Sequence, residues 1–163
     1  MIQKSVFISG SISISKLPKE AIAKLDNIIK KDINVLVGDA KGIDLQVQKY
    51  FQKENYPNVT VYFAGNQIRN NVGSWKTKSI KTNITAKNRQ FYTEKDNAMV
   101  ADTDYGLMIW DGKSKGTLNN IKAMQEAQKK FYVILEEIVV PSDDIDSILR
   151  IIETNKEPQL SLF

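Results

Sequence analysis

The 163-residue sequence predicts an α/β domain, a Rossmann-like three-layer sandwich around a mostly parallel, five-stranded sheet. Three observations carry this reading. Apolar runs of strand length alternate along the chain with segments whose apolar residues recur at three- and four-residue steps, and parallel neighbours need such a crossover between them. Glycine-bearing turns close three of the strands, as expected where a strand feeds a helix. The composition, 42% hydrophobic and 26% charged, is that of one ordinary globular domain with a core rather than of a disordered or coiled-coil chain.

In chain order, Ser5 to Ser9 reads as a buried strand ending at Gly10, followed by a serine-rich loop. Pro18 suits the first turn of a helix whose apolar face is Ile22, Leu25, Ile28 and Ile29. Asn34 to Val37 is the second strand. After Gly38-Asp39-Ala40-Lys41-Gly42, a helix over Ile43 to Lys53 turns Ile43, Val47, Tyr50 and Phe51 inward. Pro57 breaks the chain before a third strand, Val59 to Phe63, and a long polar loop from Ala64 to Lys87 follows. Phe91, Lys95, Ala98 and Met99 mark a helix, and Tyr105 to Trp110 the fourth strand. Asp111 to Thr117 opens a helix carrying Leu118, Ile121, Met124 and Ala127, and Phe131 to Val140 is the fifth strand, its end frayed by Glu136 and Glu137. Ser142 is placed to cap a last helix with Asp143 and Asp144 in its first turn and Ile145, Ile148, Leu149 and Ile152 as its stripe. The domain is expected over residues 1–154 and a flexible tail over 155–163.

The chain has no cysteine and no histidine. Disulfides, a thiolate nucleophile, a Ser-His-Asp triad, Cys/His zinc sites and imidazole acid-base chemistry are thereby excluded, and no metal site is expected. No segment reads as a signal peptide or a membrane span, so a cytoplasmic protein is expected. The net charge of +4 is unevenly spread: residues 1–54 hold 9 basic and 6 acidic side chains, 55–93 hold 6 and 0, and 94–163 hold 8 and 13. The middle third is the basic one.

In an open parallel sheet, ligands bind beyond the carboxyl ends of the strands, where free NH groups at helix N-termini attract anions. Three turns fall there: Gly10-Ser11 after the first strand, Gly38 to Asp44 after the second, and Asp111 to Thr117 after the fourth. Gly10, Gly38, Gly42, Gly112 and Gly116 would let a phosphate approach the backbone, while Ser11, Ser114 and Thr117 offer hydroxyl donors. Neither the Gly-x-Gly-x-x-Gly dinucleotide fingerprint nor a P-loop is present. The long loop adds Arg69, Trp75, Lys76, Lys78, Lys81, Lys87 and Arg89, cations beside an aromatic face able to hold phosphate and stack a base. The alternative for that loop is a solvated segment with Trp75 folded back on the core.

Residues 5–135 resemble the SLOG superfamily, the Rossmann-type group that contains the LOG phosphoribohydrolases and the DprA recombination mediators. The resemblance rests on Phe7-Ile8-Ser9-Gly10-Ser11, on Gly38-Asp39-Ala40-Lys41-Gly42-Ile43-Asp44, and on Trp110-Asp111-Gly112-Lys113-Ser114-Lys115-Gly116-Thr117. It implies a nucleotide or nucleotide-derived ligand at these turns, with Asp44 and Asp111 as polar contacts and no separate cofactor. LOG hydrolases carry Pro-Gly-Gly-x-Gly-Thr-x-x-Glu, whose glutamate serves N-glycosidic cleavage; the same spacing from Gly116-Thr117 lands on Asn120. An amide neither exchanges a proton nor acts as a carboxylate nucleophile, so the departure favours binding over turnover.

The segment Gln159-Leu160-Ser161-Leu162-Phe163, after Glu157-Pro158, is similar at all five positions to the pentapeptide by which bacterial proteins bind the DNA polymerase sliding clamp. Leu162 and Phe163 would fill an apolar pocket, Leu160 a neighbouring surface and Gln159 a polar subsite, with Pro158 limiting the freedom lost on docking. The expectation is a bacterial or phage protein that binds a nucleotide-derived ligand or DNA, docks on the clamp β subunit and acts in replication, repair or their control. A nucleotide N-glycosidase or deoxyribosyltransferase-like enzyme, and a DprA-like binder of single-stranded DNA working through the basic loop, are the alternatives; homo-oligomers are common in the resembled group.

Overall fold

The computed structural model describes residues 3–84 and 87–156. Its strands are β1 (Ser5–Gly10), β2 (Asn34–Val37), β3 (Val59–Ala64), β4 (Lys76–Ile80), β5 (Tyr105–Trp110), β6 (Lys130–Leu135) and β7 (Ile138–Pro141). Its helices are α1 (Lys19–Lys30), α2 (Ile43–Lys53), α3 (Arg89–Asp102), α4 (Lys115–Glu126) and α5 (Ile145–Lys156). One sheet has the order β4-β3-β2-β1-β5-β6-β7, parallel throughout except for the antiparallel β6–β7 pair. The Rossmann-like three-layer architecture holds, with seven strands where the sequence pattern indicated five.

Alternation along the strands divides the core into two layers. Val6 and Ile8 of β1 pack with Val35, Val37, Val59, Val61, Leu107 and Ile109 under α1 and α2, which contribute Ala21, Leu25, Ile28, Ile43, Val47 and Phe51. Phe7, pointing the other way, joins Leu36, Tyr62, Met108, Trp110, Phe131 and Val133 under α3, α4 and α5. A one-residue slip of β1 would exchange these two sets, so burial on both faces fixes the register of the central strands. The first two crossovers carry the chain outward on one face, and α3 and α4 carry it back on the other.

Two strands escaped the sequence pattern. Lys76–Ile80, within the expected long loop, pairs with β3 from Thr60↔Lys76 to Ala64↔Ile80. As an edge strand with four of its five residues exposed, it has no apolar face to announce it. The connection from β3 is a loop tied to α2: Gln48 donates to the carbonyls of Gly38 at 2.9 Å and Asn70 at 3.1 Å and accepts the NH of Val72 at 3.1 Å. The apolar run Phe131 to Val140 is a hairpin rather than one strand. Glu136 turns the chain with φ +56°, so Glu136 and Glu137 form the bend and not a frayed end.

Ser142 is not a helix cap. It begins a short 3-10 turn, Ser142–Asp144, that leads into α5. The side-chain cap that the sequence does supply is Asn88, which accepts the NH of Phe91 at 3.1 Å and starts α3. No helix among the described residues is long and apolar enough to cross a membrane.

Candidate functional site

Strands β1 and β5 are neighbours whose following helices leave in opposite directions, toward β2 and toward β6. Between their carboxyl ends the sheet has its switch point, the place where open α/β sheets leave a crevice. A cavity of about 470 Å³ lies there, bounded by the ends of β1 and β2, the start of α4 and one side of α3. That volume falls within the range of roughly 300–1,000 Å³ usual for small-molecule sites.

One wall is the turn between β5 and α4. Gly10 lets it approach β1: a side-chain carbon there would sit 2.5 Å from the carbonyl oxygen of Ile109 and from Ile43. The buried Ser11 hydroxyl accepts the NH of Asp111 at 3.0 Å and meets the Ser114 hydroxyl at 2.8 Å. Ser114 in turn donates to Thr117 at 3.0 Å. Asp111 folds the turn on itself, accepting the NH groups of Lys113 and Ser114 at 2.8 Å each and the Ser13 hydroxyl at 2.7 Å. Burial acts to raise its pKa, but these donors overcome it and hold the carboxyl at about 2. The wall thus ends in the first turn of α4, where Gly116 has open space where a side chain would stand. The NH groups of a first turn lack intrahelical partners and favour an anion.

The opposite side is built on β2. Gly38 lies under Asp44 and the ammonium of Lys95, two groups that converge above it. Lys95, buried on α3, makes ion pairs at 3.4 Å with Asp96 and 4.0 Å with Asp39 and no hydrogen bond among the described residues. Burial pushes the Asp44 carboxyl up to about 6, with Lys95 opposing and Asp96 adding to the shift; its visible hydrogen bond is from the NH of Ala40 at 3.2 Å. Burial lowers the pKa of Lys95, yet Asp96, Asp44 and Asp39 together leave it above the ordinary lysine value. Asp39 is fully committed: it accepts the NH of Arg69 at 2.9 Å and its guanidinium at 2.6 Å. Arg69 also stacks on the Tyr92 ring, 4.2 Å from its centre.

Of the residues singled out from the sequence, Gly10, Gly38, Asp44, Ser114, Gly116 and Thr117 line the cavity, together with Arg69, Lys87 and Arg89 of the basic segment. Ser11, Asp39 and Asp111 stand one layer behind, bonded to the lining. Gly42, at φ +76°, packs against the backbone of Ile12, and Gly112, at φ +78°, bends the chain after Asp111. Asn120, buried at the cavity, donates to Ser9 at 2.8 Å.

The rest of the basic segment is elsewhere. Trp75 is folded back, its indole NH donating to the carbonyl of Tyr56 at 2.8 Å and its half-buried ring packed against the core. Lys76 and Lys78 lie on β4, Lys78 paired with Asp102 at 2.7 Å, and Lys81 is exposed beyond its end. Gln159 to Phe163 lie outside the described residues. The pattern reading missed Lys95, Asp96 and Tyr92, which helical spacing places on α3 without indicating what they face. Among the described residues, no group of three or more acidic side chains is arranged to hold a metal ion.

No family model matches the chain, and no curated protein matches its sequence.

Proposed function

We propose that this protein binds a nucleotide-derived ligand in the switch-point cavity and is brought to the bacterial replication clamp by Gln159–Phe163, acting in replication, repair or their control. The observation that carries the first half is the pairing of two unlike walls around one cavity. An anion-attracting helix start with the Ser114 and Thr117 hydroxyls faces a floor where Asp44, Lys95 and Asp96 offer both acceptors and a donor. A ligand with phosphate at one end and hydroxyl or amino groups at the other satisfies both. Arg89 and Lys87 at the cavity supply further positive charge.

The second half is supported by the five-position match of the pentapeptide. A tether of this kind raises the local concentration of a domain near DNA even where its own affinity is slight.

Two measurements test the two halves separately. Calorimetric titration with a panel of nucleoside mono-, di- and triphosphates should give saturable binding that weakens when Gly116→Asp places a carboxylate at the helix start; a panel without any binder removes the cavity reading. Retention on immobilised clamp should disappear on deletion of residues 159–163, and equal retention removes the docking reading.

Asp44 favours a second reading, cleavage of a nucleotide N-glycosidic bond. A cavity carboxyl held at about 6 is suited to protonate a leaving base, and Asn120 at the position of the LOG glutamate leaves that task to another acid. Release of free base, abolished in Asp44→Asn, would establish turnover; no release across the panel would leave binding alone.

A further inference from the structure

At the other end of the sheet, among the described residues, half of one face has no helix over it. α1 and α2 cover that face over the β1-β2-β3 side, whereas the connections of β5, β6 and β7 place α4 and α5 on the opposite face. The loop after β1 brings Ile14 and Leu17 to part of the gap. The amino-terminal ends of β5 and β6 stay open beside α1, and a groove of about 410 Å³ runs between them.

Parallel sheets are ordinarily covered on both faces, so an open half-face with large rings on it calls for an occupant. Tyr105 and Tyr132 are 39% and 42% exposed, standing on adjacent strands two positions apart in register. Lys130 is the direct cross-strand partner of Tyr105. Lys24 on α1 and Lys31, which caps its carboxyl end about two turns on, form the other bank, about 10 Å from one another along the axis. Among the described residues, the groove's one acidic side chain is Asp143, against the three lysines.

We propose that this groove is a binding site for single-stranded nucleic acid, separate from the switch-point cavity. The lysines match a phosphodiester backbone in charge, and the tyrosine rings match unpaired bases, the combination by which single strands are held without regard to sequence. Lys24 already rests 3.9 Å from the centre of the Tyr132 ring. An exposed cation–π contact is weaker than base–aromatic stacking, so an incoming base displaces the ammonium, which is then free to meet a phosphate. Duplex DNA, its bases stacked internally, cannot use the rings. An acidic protein segment would satisfy the lysines but gain little from the paired rings.

The test is fluorescence anisotropy of the full chain with a labelled 15-nucleotide oligo-dT across a salt series. Neutralising Lys24, Lys31 and Lys130 to Gln should weaken binding at least tenfold at low salt and lower the slope of log affinity on log salt by about 2, at roughly 0.7 per phosphate contact on a single strand. Tyr132→Ala should weaken binding without changing that slope, and unlabelled duplex of equal length should compete poorly. The altered side chains are exposed or half-exposed, and thermal melting verifies that each variant is folded. Unchanged affinity in the triple variant overturns the assignment, as does loss of binding on neutralising Lys76 and Lys78 of β4 instead. Competition by polyglutamate as effective as by oligo-dT would also overturn it, in favour of an acidic protein partner.

Discussion

Replacing Asp44 by Asn gives a stability test of the cavity floor that needs no ligand. In the folded protein Asp44 binds its proton more tightly than in the unfolded chain, its carboxyl standing at about 6 against an ordinary 3.8. Its contribution is therefore fully present below pH 3.8 and is lost as pH rises through about 6. The gap corresponds to about 3 kcal/mol, of which about 2 kcal/mol falls between pH 4.5 and 7.5. Asn does not titrate, so the wild-type unfolding free energy minus that of Asp44→Asn isolates this group. Lys95, Asp96 and Asp39 face Asp44, and Lys95 keeps its charge throughout the window because its pKa is raised. Urea denaturation at four pH values should show the difference falling by about 2 kcal/mol from pH 4.5 to 7.5, or roughly 4–8 °C in melting temperature for a domain of this size. Parallel pH profiles, or a wild type that gains on the variant as pH rises, would refute the burial argument.

Three further outcomes follow from local geometry. Gly38→Ala places a carbon 2.8 Å from the Lys95 ammonium and against Asp44, and should cost about 1–3 kcal/mol in urea denaturation; an unchanged midpoint would mean that the floor has room to relax. Asp111→Ala removes the acceptor for the NH groups of Lys113 and Ser114 and should cost about 1–2 kcal/mol, with faster amide exchange at those two residues as the specific readout. Glu136→Gly relieves a left-handed backbone, φ +56°, at the tip of the β6–β7 hairpin and should raise stability by about 0.5–1 kcal/mol; a lower melting temperature would contradict this.

The parts of the fold legible in the sequence are those where burial writes its period into the chain. Ser5–Gly10, Asn34–Val37, Val59–Ala64 and Tyr105–Trp110 are read from apolar runs because most of their residues are buried, on both faces alike. Lys76–Ile80 is held by its backbone pairing with β3, and that leaves no trace in side-chain pattern. The β6–β7 hairpin turns without Gly, Asn or Pro at its bend, so the run across Glu136 looks continuous. At the site, the glycine turns are legible because backbone must pass close to backbone, and Gly10 and Gly38 do so. Lys95 illustrates the opposite case. Its spacing with Phe91 and Met99 assigns it to the inner face of α3, but that this face meets Asp39 and Asp44 follows from sheet order, which local spacing does not encode. Trp75 is likewise ambiguous in sequence, since an indole beside lysines serves a base or a neighbouring carbonyl equally well; Tyr56 receives it.

The rims of the sheet bear on how the molecule behaves when crowded. At one end β4 lines up Lys76 and Lys78 along its exposed border; at the other, four-residue β7 stops at Pro141. Two molecules meeting border to border would oppose like charges at one rim and, at the other, find a stub whose last residue has no hydrogen to give. Neither margin serves as a template for stacking further chains, so a concentrated solution is protected from fibrillar growth by the same plain residues that hid its outermost strand from view.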